Sequence, residues 1–299
     1  MSAQKPAPES FRQIAVVGTG LMGSSFALAA RESGLAEFLV GVDTKTEALD
    51  EALRLGIIDQ AQNLDDALGE ADCVIVSTPP ESIEAIVRRI AEKCREGTLV
   101  MDFSSVKETT LEEIDEYCPL SLHFVSVHPM AGNEKSGPGA ARADLFRGEP
   151  LILVPSISTR PEALERADAL WRHLGAKVYQ ALPARHDELV TGASHLPQLI
   201  AFALASTLEE LYPDIKEIYQ ISGPGLRDML RCSRSQPELW EEILKLNGAN
   251  TQAALGILID HLGAFQKALI KAEEEEKPLK TLLEKGHNAG NALTASGGN

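Results

Sequence analysis

Positive charge, cysteine and long apolar runs are all scarce in this chain of 299 residues. Lys and Arg number 28 against 44 Asp and Glu, a formal net charge of −16. Such a chain lacks the basic face that nucleic acid or an anionic membrane needs, so neither partner is expected. Any anionic substrate must then be held by local Arg or Lys against the overall field. The four cysteines, Cys73, Cys94, Cys118 and Cys232, form no Cys-x-x-Cys pair. They read as reduced, small apolar residues, with neither a disulfide framework nor a metal site expected. The opening "MSAQKPAPES" has no apolar core and is not expected to be a signal peptide. Runs such as "LIAFALA" at 199–205 are too short to cross a bilayer, and a cytoplasmic location is the expectation.

What is present is an ordinary globular composition, 44% hydrophobic and 24% charged, long enough for two domains. "QIAVVG", "EFLVGVD", "ADCVIVSTP", "TLVMDF", "HFVSVH" and "EPLILVP" read as strands. Amphipathic stretches between them read as helices, including one from about Ser82 to Cys94 and one near 107–117. Short, wholly apolar strands alternating with helices imply a parallel sheet covered on both faces, an α/β doubly wound fold. "PEALERADALWRHLGAKVYQAL" adds a last helix and strand, placing a dinucleotide-binding domain over residues 1–182. From Pro183 the pattern is helical to about 285, with apolar residues on several faces of "AALGILIDHLGAFQKALI". Residues 183–299 are therefore expected to form a helical substrate and dimerisation domain that packs on a second copy and ends in a flexible tail.

"AVVGTGLMG" spaces Gly18, Gly20 and Gly23 as G-x-G-x-x-G between a strand and a helix. Asp43 follows at the end of the second strand. Glycines here permit a tight turn, close approach of a pyrophosphate and close helix–sheet packing, while Asp43 suits ribose hydroxyls. Its charge would repel a 2′-phosphate, so NAD is expected over NADP. Gly18, Gly20, Leu21, Met22, Gly23 and Asp43 are the expected cofactor residues, with Ser77 and Thr78 of "STPPES" placed at the same cleft.

Other polar residues collect where a parallel sheet presents its carboxyl ends: Ser104, Ser105 and Lys107 in "MDFSSVKET", and His128 and Glu134 in "VHPMAGNEKSG". The helical half adds His195 in "GASHLPQ", and Arg227, Asp228, Arg231 and Trp240 in "GPGLRDMLRCSRSQPELW". Each has a plain alternative. The serines could cap a helix, Lys107 and Lys135 could be solvated charges, Arg231 could pair with Asp228, and Trp240 could be core.

The order and spacing of "GTGLMG", "SSVK", "HPMAGNEKSG", "SHLP" and "GPGLRDMLR" leading to "QPELW" resemble the prephenate/arogenate dehydrogenase family of tyrosine biosynthesis. The resemblance runs from about Gln13 to Trp240 and more loosely beyond. It implies NAD-dependent oxidative decarboxylation of prephenate to 4-hydroxyphenylpyruvate by a homodimer. It further implies His128 as general base, Ser105 as the residue orienting the hydroxyl, and His195 as a second active-site histidine. Arg231 would clamp a carboxylate, Glu134 would sit at the pocket mouth, and Trp240 would close the pocket. An imidazole suits an alcohol made acidic by hydride departure, and Pro129 would fix its angle after the strand. Neutral Gln198, one turn beyond His195, favours prephenate over the ammonium-bearing arogenate. Alternatives are arogenate dehydrogenase, a β-hydroxyacid dehydrogenase or imine reductase, and a non-catalytic NAD-binding sensor.

Overall fold

The computed structural model describes Pro8 and residues 10–132, 135–212, 214–271 and 276–295. The chain divides into two compact units, Met1–Asn247 and Gly248–Asn299.

The first unit is built on an eight-stranded sheet: β1 (Phe11–Val17), β2 (Ala36–Val42), β3 (Gln60–Ala61), β4 (Cys73–Val76), β5 (Leu99–Asp102), β6 (His123–Pro129), β7 (Pro150–Val154) and β8 (Lys177–Gln180). Their spatial order is β3-β2-β1-β4-β5-β6-β7-β8. The first six are parallel, while β7 runs antiparallel to β6 and parallel to β8. Strand order reverses between β1 and β4, which opens the crevice where a doubly wound fold takes its ligand. The carboxyl ends of β1, β4, β5 and β6 therefore deliver Gly18, Ser77, Ser104 and His128 to a single edge.

Alternation within the strands supplies two cores. Ile14, Val16, Ile75, Met101, Val125 and Val127 face one side, where Phe26, Phe146 and Trp171 pack against them. Ala15, Val17, Val74, Val76, Val100 and Phe124 face the other, against Leu68, Ile83, Val87 and Leu111. Trp171 is fully enclosed, and truncating such a residue typically costs about 3–5 kcal/mol. Cys73 and Cys118 are buried and all four cysteines are free.

Helices α1 (Leu21–Glu32), α2 (Thr46–Arg54), α3 (Leu64–Glu70), α4 (Pro80–Lys93), α5 (Glu108–Asp115) and α6 (Pro161–His173) cover the sheet. The helix expected from Ser82 begins earlier, because Pro80 is favoured in a first helical turn. The first unit continues through α7 (Pro183–Val190), a π-helical turn (Thr191–His195), α8 (Leu196–Leu211), α9 (Ile215–Ile221), α10 (Pro224–Cys232) and α11 (Pro237–Leu246). Residue 182 marks the change from sheet to helix. The compact unit nevertheless runs on to Asn247, because α7 is bonded to the start of α5 through Asp187.

The second unit is a pair of helices, α12 (Gly248–Ile270) and α13 (Glu276–Ala295). The glycine-rich end expected to be an unstructured tail continues α13 through Gly286 and Gly290. A glycine inside a helix costs only about 1 kcal/mol relative to alanine, which the leucines of α13 can offset.

The expectation that no apolar segment could span a bilayer needs correction. Pro183–Leu211 and Gly248–Ile270 each reach a mean hydropathy of 1.3 over a window long enough to cross one. The short apolar runs join because few charged residues separate them, so the average over 18 consecutive residues stays apolar. The first of these segments carries buried His186, Asp187 and His195. The second has Asp260 and His261 at mid-length, costly positions in lipid. Both facts suit protein packing rather than a bilayer.

Candidate active site

The site is laid out along the carboxyl edge of the sheet. Gly18, with φ of +95°, adopts a backbone that side chains resist, and an added Cβ there would lie 2.2 Å from the Ser77 carbonyl oxygen. An added Cβ at Gly23 would lie 2.1 Å from the Gly18 oxygen. These two glycines let the loop, α1 and the Ser77–Thr78 turn close on one another. Gly20 differs, since an added Cβ would meet no protein atom within 4 Å. Its backbone faces open space, and no side chain caps the helix that starts beside it. Free N–H groups at the positive end of a helix dipole are what a pyrophosphate requires.

Asp43 accepts hydrogen bonds from the Thr19 N–H (2.8 Å) and hydroxyl (3.0 Å) through Oδ2, and from the Lys45 N–H (2.9 Å) through Oδ1. The carboxylate is thus fixed against the glycine loop while still part-exposed. Thr78 Oγ1 is buried without a partner among the described residues. An orphaned hydroxyl beside an open backbone cradle and a fixed carboxylate fits a dinucleotide. No group of His, Cys, Asp and Glu that could hold a metal ion occurs among the described residues.

His128 ends β6 as the sequence suggests. It lines a cavity of about 470 Å³ together with Met130, Gly132, Arg142, Ala193 and Ser194. An added Cβ at Gly132 would lie 3.8 Å from Met22 Sδ, so the turn after His128 lies over the start of α1. The imidazole and the π-helical turn that ends in His195 therefore border one space, and its Gly132 wall lies beside Met22 of α1. Arg142 is the arginine among that cavity's lining, whereas Arg231 is exposed on α10.

Behind the cavity lies a polar network largely missed in the sequence. His128 Nδ1 is 2.8 Å from His186 Nε2, and His186 Nδ1 is 2.7 Å from Asp187 Oδ1. Asp187 also accepts from the N–H groups of Lys107 (2.9 Å) and Glu108 (3.0 Å), capping α5 from another element. That displaces the expectation that Ser104 or Ser105 caps this helix. Ser104 instead donates to Asp102, and Ser105 is half-buried on the loop. Lys107, expected as a solvated charge, is 0% exposed and donates to Asp102 (3.0 Å), Ser104 Oγ (2.9 Å) and the Val127 carbonyl (3.0 Å). A buried ammonium persists only with a carboxylate and a full set of acceptors, which this pocket supplies.

Electrostatics follow from the geometry. One face of His128 reaches the cavity while protein surrounds the rest. Its pKa falls well below the ordinary value of 6.5 through burial, reinforced by His186, Lys107 and His195. His186 is lowered by burial, opposed by its bond to Asp187. Burial would raise Asp187, but bonds from His186 and the two N–H groups outweigh it and keep the carboxylate below its usual range. His195 falls to about 4, chiefly by burial. All three imidazoles are thus neutral near physiological pH.

In the helical part, His195 Nδ1 is 3.0 Å from Asn247 Nδ2, and the Trp240 ring meets its edge at 5.9 Å between centroids. Gln198 is buried and its amide donates to the Cys232 carbonyl at 2.8 Å, tying α8 to the end of α10 beside Arg231. Glu134 lies outside the described residues.

The family description "Prephenate dehydrogenase, nucleotide-binding domain" matches residues 26–180, and "Prephenate dehydrogenase, dimerization domain" matches residues 182–284. The chain belongs to the prephenate dehydrogenase family. The prephenate dehydrogenase of Bacillus subtilis is 33% identical over 239 residues, 78% of this chain and 64% of that protein. This chain thus spans less than two thirds of that relative's length. The cyclohexadienyl dehydrogenase of Zymomonas mobilis is 30% identical over 87% of each chain. Among solved structures, a prephenate dehydrogenase from Aquifex aeolicus with hydroxyphenyl propionate and NAD+ superposes with a TM-score of 0.84 at 29% identity, covering 95% of this chain and 99% of that one. A 3-hydroxyisobutyrate dehydrogenase from Salmonella typhimurium, at 14% identity and a TM-score of 0.61 over 86% of this chain and 95% of that one, shares the fold alone. The glycine loop precedes residue 26, where the nucleotide-binding match begins, so its reading stands on the local geometry given above.

Proposed function

We propose that this chain catalyses the NAD-dependent oxidative decarboxylation of prephenate to 4-hydroxyphenylpyruvate, a step of tyrosine biosynthesis. The observation that carries the reading is the placement of His128. It is a neutral imidazole at the carboxyl end of β6, facing a cavity shared with Ala193 and Ser194 of the turn before His195 and lying beside Met22 of the glycine-loop helix. Relatives at 30–33% identity named for this chemistry support it.

Gly18, Gly20 and Gly23, with Leu21, Met22, Ser77 and Thr78, would hold the dinucleotide, and Asp43 would accept from the ribose hydroxyls. When bound, NAD supplies the acceptor for the hydride leaving the ring carbon that bears the hydroxyl. His128 takes the hydroxyl proton as that hydride departs. The ring carboxylate then leaves as carbon dioxide, and the electron pair of the broken bond completes the aromatic ring. The resulting phenolate oxygen recovers the proton from His128, so no net proton is released. Ser105 would orient the hydroxyl and His195 would donate to substrate. Arg231 would hold a carboxylate by a charge-assisted bidentate bond, with Glu134 at the mouth and Trp240 closing the pocket. The chain's own contribution is placement and proton acceptance.

Prephenate is favoured over arogenate because Gln198, one turn beyond His195, offers no charge to an ammonium group. We infer a homodimer in the cytoplasm. The dimerization-domain match supports the dimer, as do the exposed Ile257, Ile259, Leu262 and Ile270 of α12. Light scattering in solution tests the assembly: a mass of twice the chain is expected, and a monomer at micromolar concentration contradicts it. The function is tested by following NADH formation with prephenate. Turnover that depends on prephenate and is lost in His128→Asn is expected. No turnover despite intact NAD binding contradicts the assignment.

A further inference from the structure

His186, Asp187 and Asn247 are buried polar groups for which the reaction above gives no task. Their partners dictate where protons sit. Asp187 is a carboxylate and can only accept, so His186 must direct its Nδ1–H at Oδ1, 2.7 Å away. A neutral His186 then has a bare Nε2. That nitrogen lies 2.8 Å from His128 Nδ1, which must therefore carry a hydrogen. The remaining nitrogen of His128, Nε2, is left with its lone pair.

The other histidine is set in the opposite sense. The Asp187 carbonyl also only accepts, so Asn247 must turn its NH2 rather than its oxygen toward it, at 2.9 Å. The same NH2 meets Thr191 Oγ1 and His195 Nδ1, each at 3.0 Å. Thr191 confirms this orientation by spending its own hydroxyl hydrogen on the Asp187 carbonyl at 2.8 Å. The NH2 has two hydrogens for three acceptors, but its nitrogen cannot itself accept, so the His195 Nδ1 facing it carries no hydrogen and the ring's hydrogen sits on Nε2.

We propose that Asp187 is the positioning residue for both active-site imidazoles: its carboxylate, through His186, fixes His128 as a hydrogen-bond acceptor at Nε2, and its carbonyl, through Asn247, fixes His195 as a donor at Nε2. The inference rests on the reading that His128 takes the substrate proton. It adds why that histidine is the base and why His195, also neutral, is not. A ring with a hydrogen already on Nε2 cannot accept one there, whereas it can donate to a substrate oxygen. Because Asp187 also caps α5 through Lys107 and Glu108, the same residue ties proton placement to the loop carrying Ser104 and Ser105.

The test is nitrogen NMR of the full chain labelled with 15N-histidine, near neutral pH and without substrate. His128 and His195 are assigned by signals missing from His128→Asn and His195→Asn. The expected spectrum has His128 protonated at Nδ1 and His195 at Nε2. A native His128 protonated at Nε2 overturns the proposal, whatever the activity. Asp187→Asn should scramble the His128 tautomer. His186→Gln, whose carbonyl can still accept from His128 Nδ1, should preserve it, and His186→Leu should release it. The His186 pair settles the matter should Asp187→Asn fail to fold. In turnover, His186→Leu should lose roughly 10–100-fold in kcat with NAD affinity unchanged, and His186→Gln should recover part of that loss. Equal activity and equal tautomers in Leu and Gln variants overturn the proposal. The expected tautomers without any prephenate turnover would instead defeat the functional assignment alone.

Discussion

Lys107 Nζ lies 3.0 Å from Asp102 Oδ2, and neither side chain is exposed. The ammonium also holds the carbonyl of Val127, the residue before His128, so the pair anchors the strand end that presents the base. Burial lowers the Lys107 pKa, with Asp102 and then Asp187 opposing the shift. Lys107→Met should destabilise the fold by about 3–5 kcal/mol, because it strands a buried carboxylate. Lys107→Met combined with Asp102→Asn should recover part of that loss. Denaturant unfolding of Lys107→Met, Asp102→Asn and the double variant checks this, and additive losses would show the pair uncoupled.

His128→Asn should reduce kcat by about two to four orders of magnitude, as expected for loss of a general base. NAD binding, measured by fluorescence titration, should be unchanged, since the imidazole ends β6 rather than joining the glycine loop.

The pH dependence has a definite sign. Burial, reinforced by His186, the Lys107 ammonium and His195, holds His128 well below 6.5, and the base works only when neutral. The acid limb of kcat/KM should therefore lie below pH 6.5, with no loss on moving from pH 8 to 6.5. Stability follows the same direction. His195 titrates near 4 in the fold against 6.5 unfolded, so below 6.5 the unfolded chain binds more protons. Stability is full above 6.5 and falls as the pH drops toward 4. Thermal melts across that window measure it, and a flat profile would show that these imidazoles are not buried neutral.

Gln198→Glu replaces the donor to the Cys232 carbonyl with a carboxylate facing a carbonyl oxygen. A loss of about 1–3 kcal/mol at the α8–α10 junction is expected from the unsatisfied acceptor. The new charge should also shift relative kcat/KM toward arogenate. A native protein that already prefers arogenate would remove the specificity role assigned to Gln198.

Asp43→Asn keeps one acceptor oxygen, enough for Thr19 or Lys45 but not both, and removes the charge that opposes a 2′-phosphate. The ratio of kcat/KM for NAD over NADP should fall, by an amount read directly from steady-state kinetics.

Strands β1, β2 and β4–β7 were legible because each carries a short apolar run bounded by turn residues, and β8, the mostly exposed "KVYQ", because it follows a helix and Gly175. Strand β3 was not: two residues, Gln60 and Ala61, carry no period. The antiparallel entry of β7 also has no signature, since "PLILV" is as apolar in sequence as the parallel strands "CVIV" and "LVMD". In the site, His128, the glycine loop and His195 stood out by position beside turns. His186 and Asp187 did not, because "ARHDELV" has the composition of an exposed helix start. Their clue was a His–Asp pair on the same apolar helical run as His195, where burial of charge demands partners. Lys107 misled for the opposite reason. A lysine opening a helix is usually solvated, and only the tertiary contact with Asp102 reveals this one as enclosed.

The most direct measurement is a spectrophotometric assay that crosses prephenate and arogenate with NAD and NADP. Reduced cofactor should form fastest with prephenate and NAD, and should vanish in His128→Asn. Dominant turnover of arogenate, or normal NAD binding with no turnover of either ring acid, would contradict the proton-accepting role of His128 in prephenate oxidation.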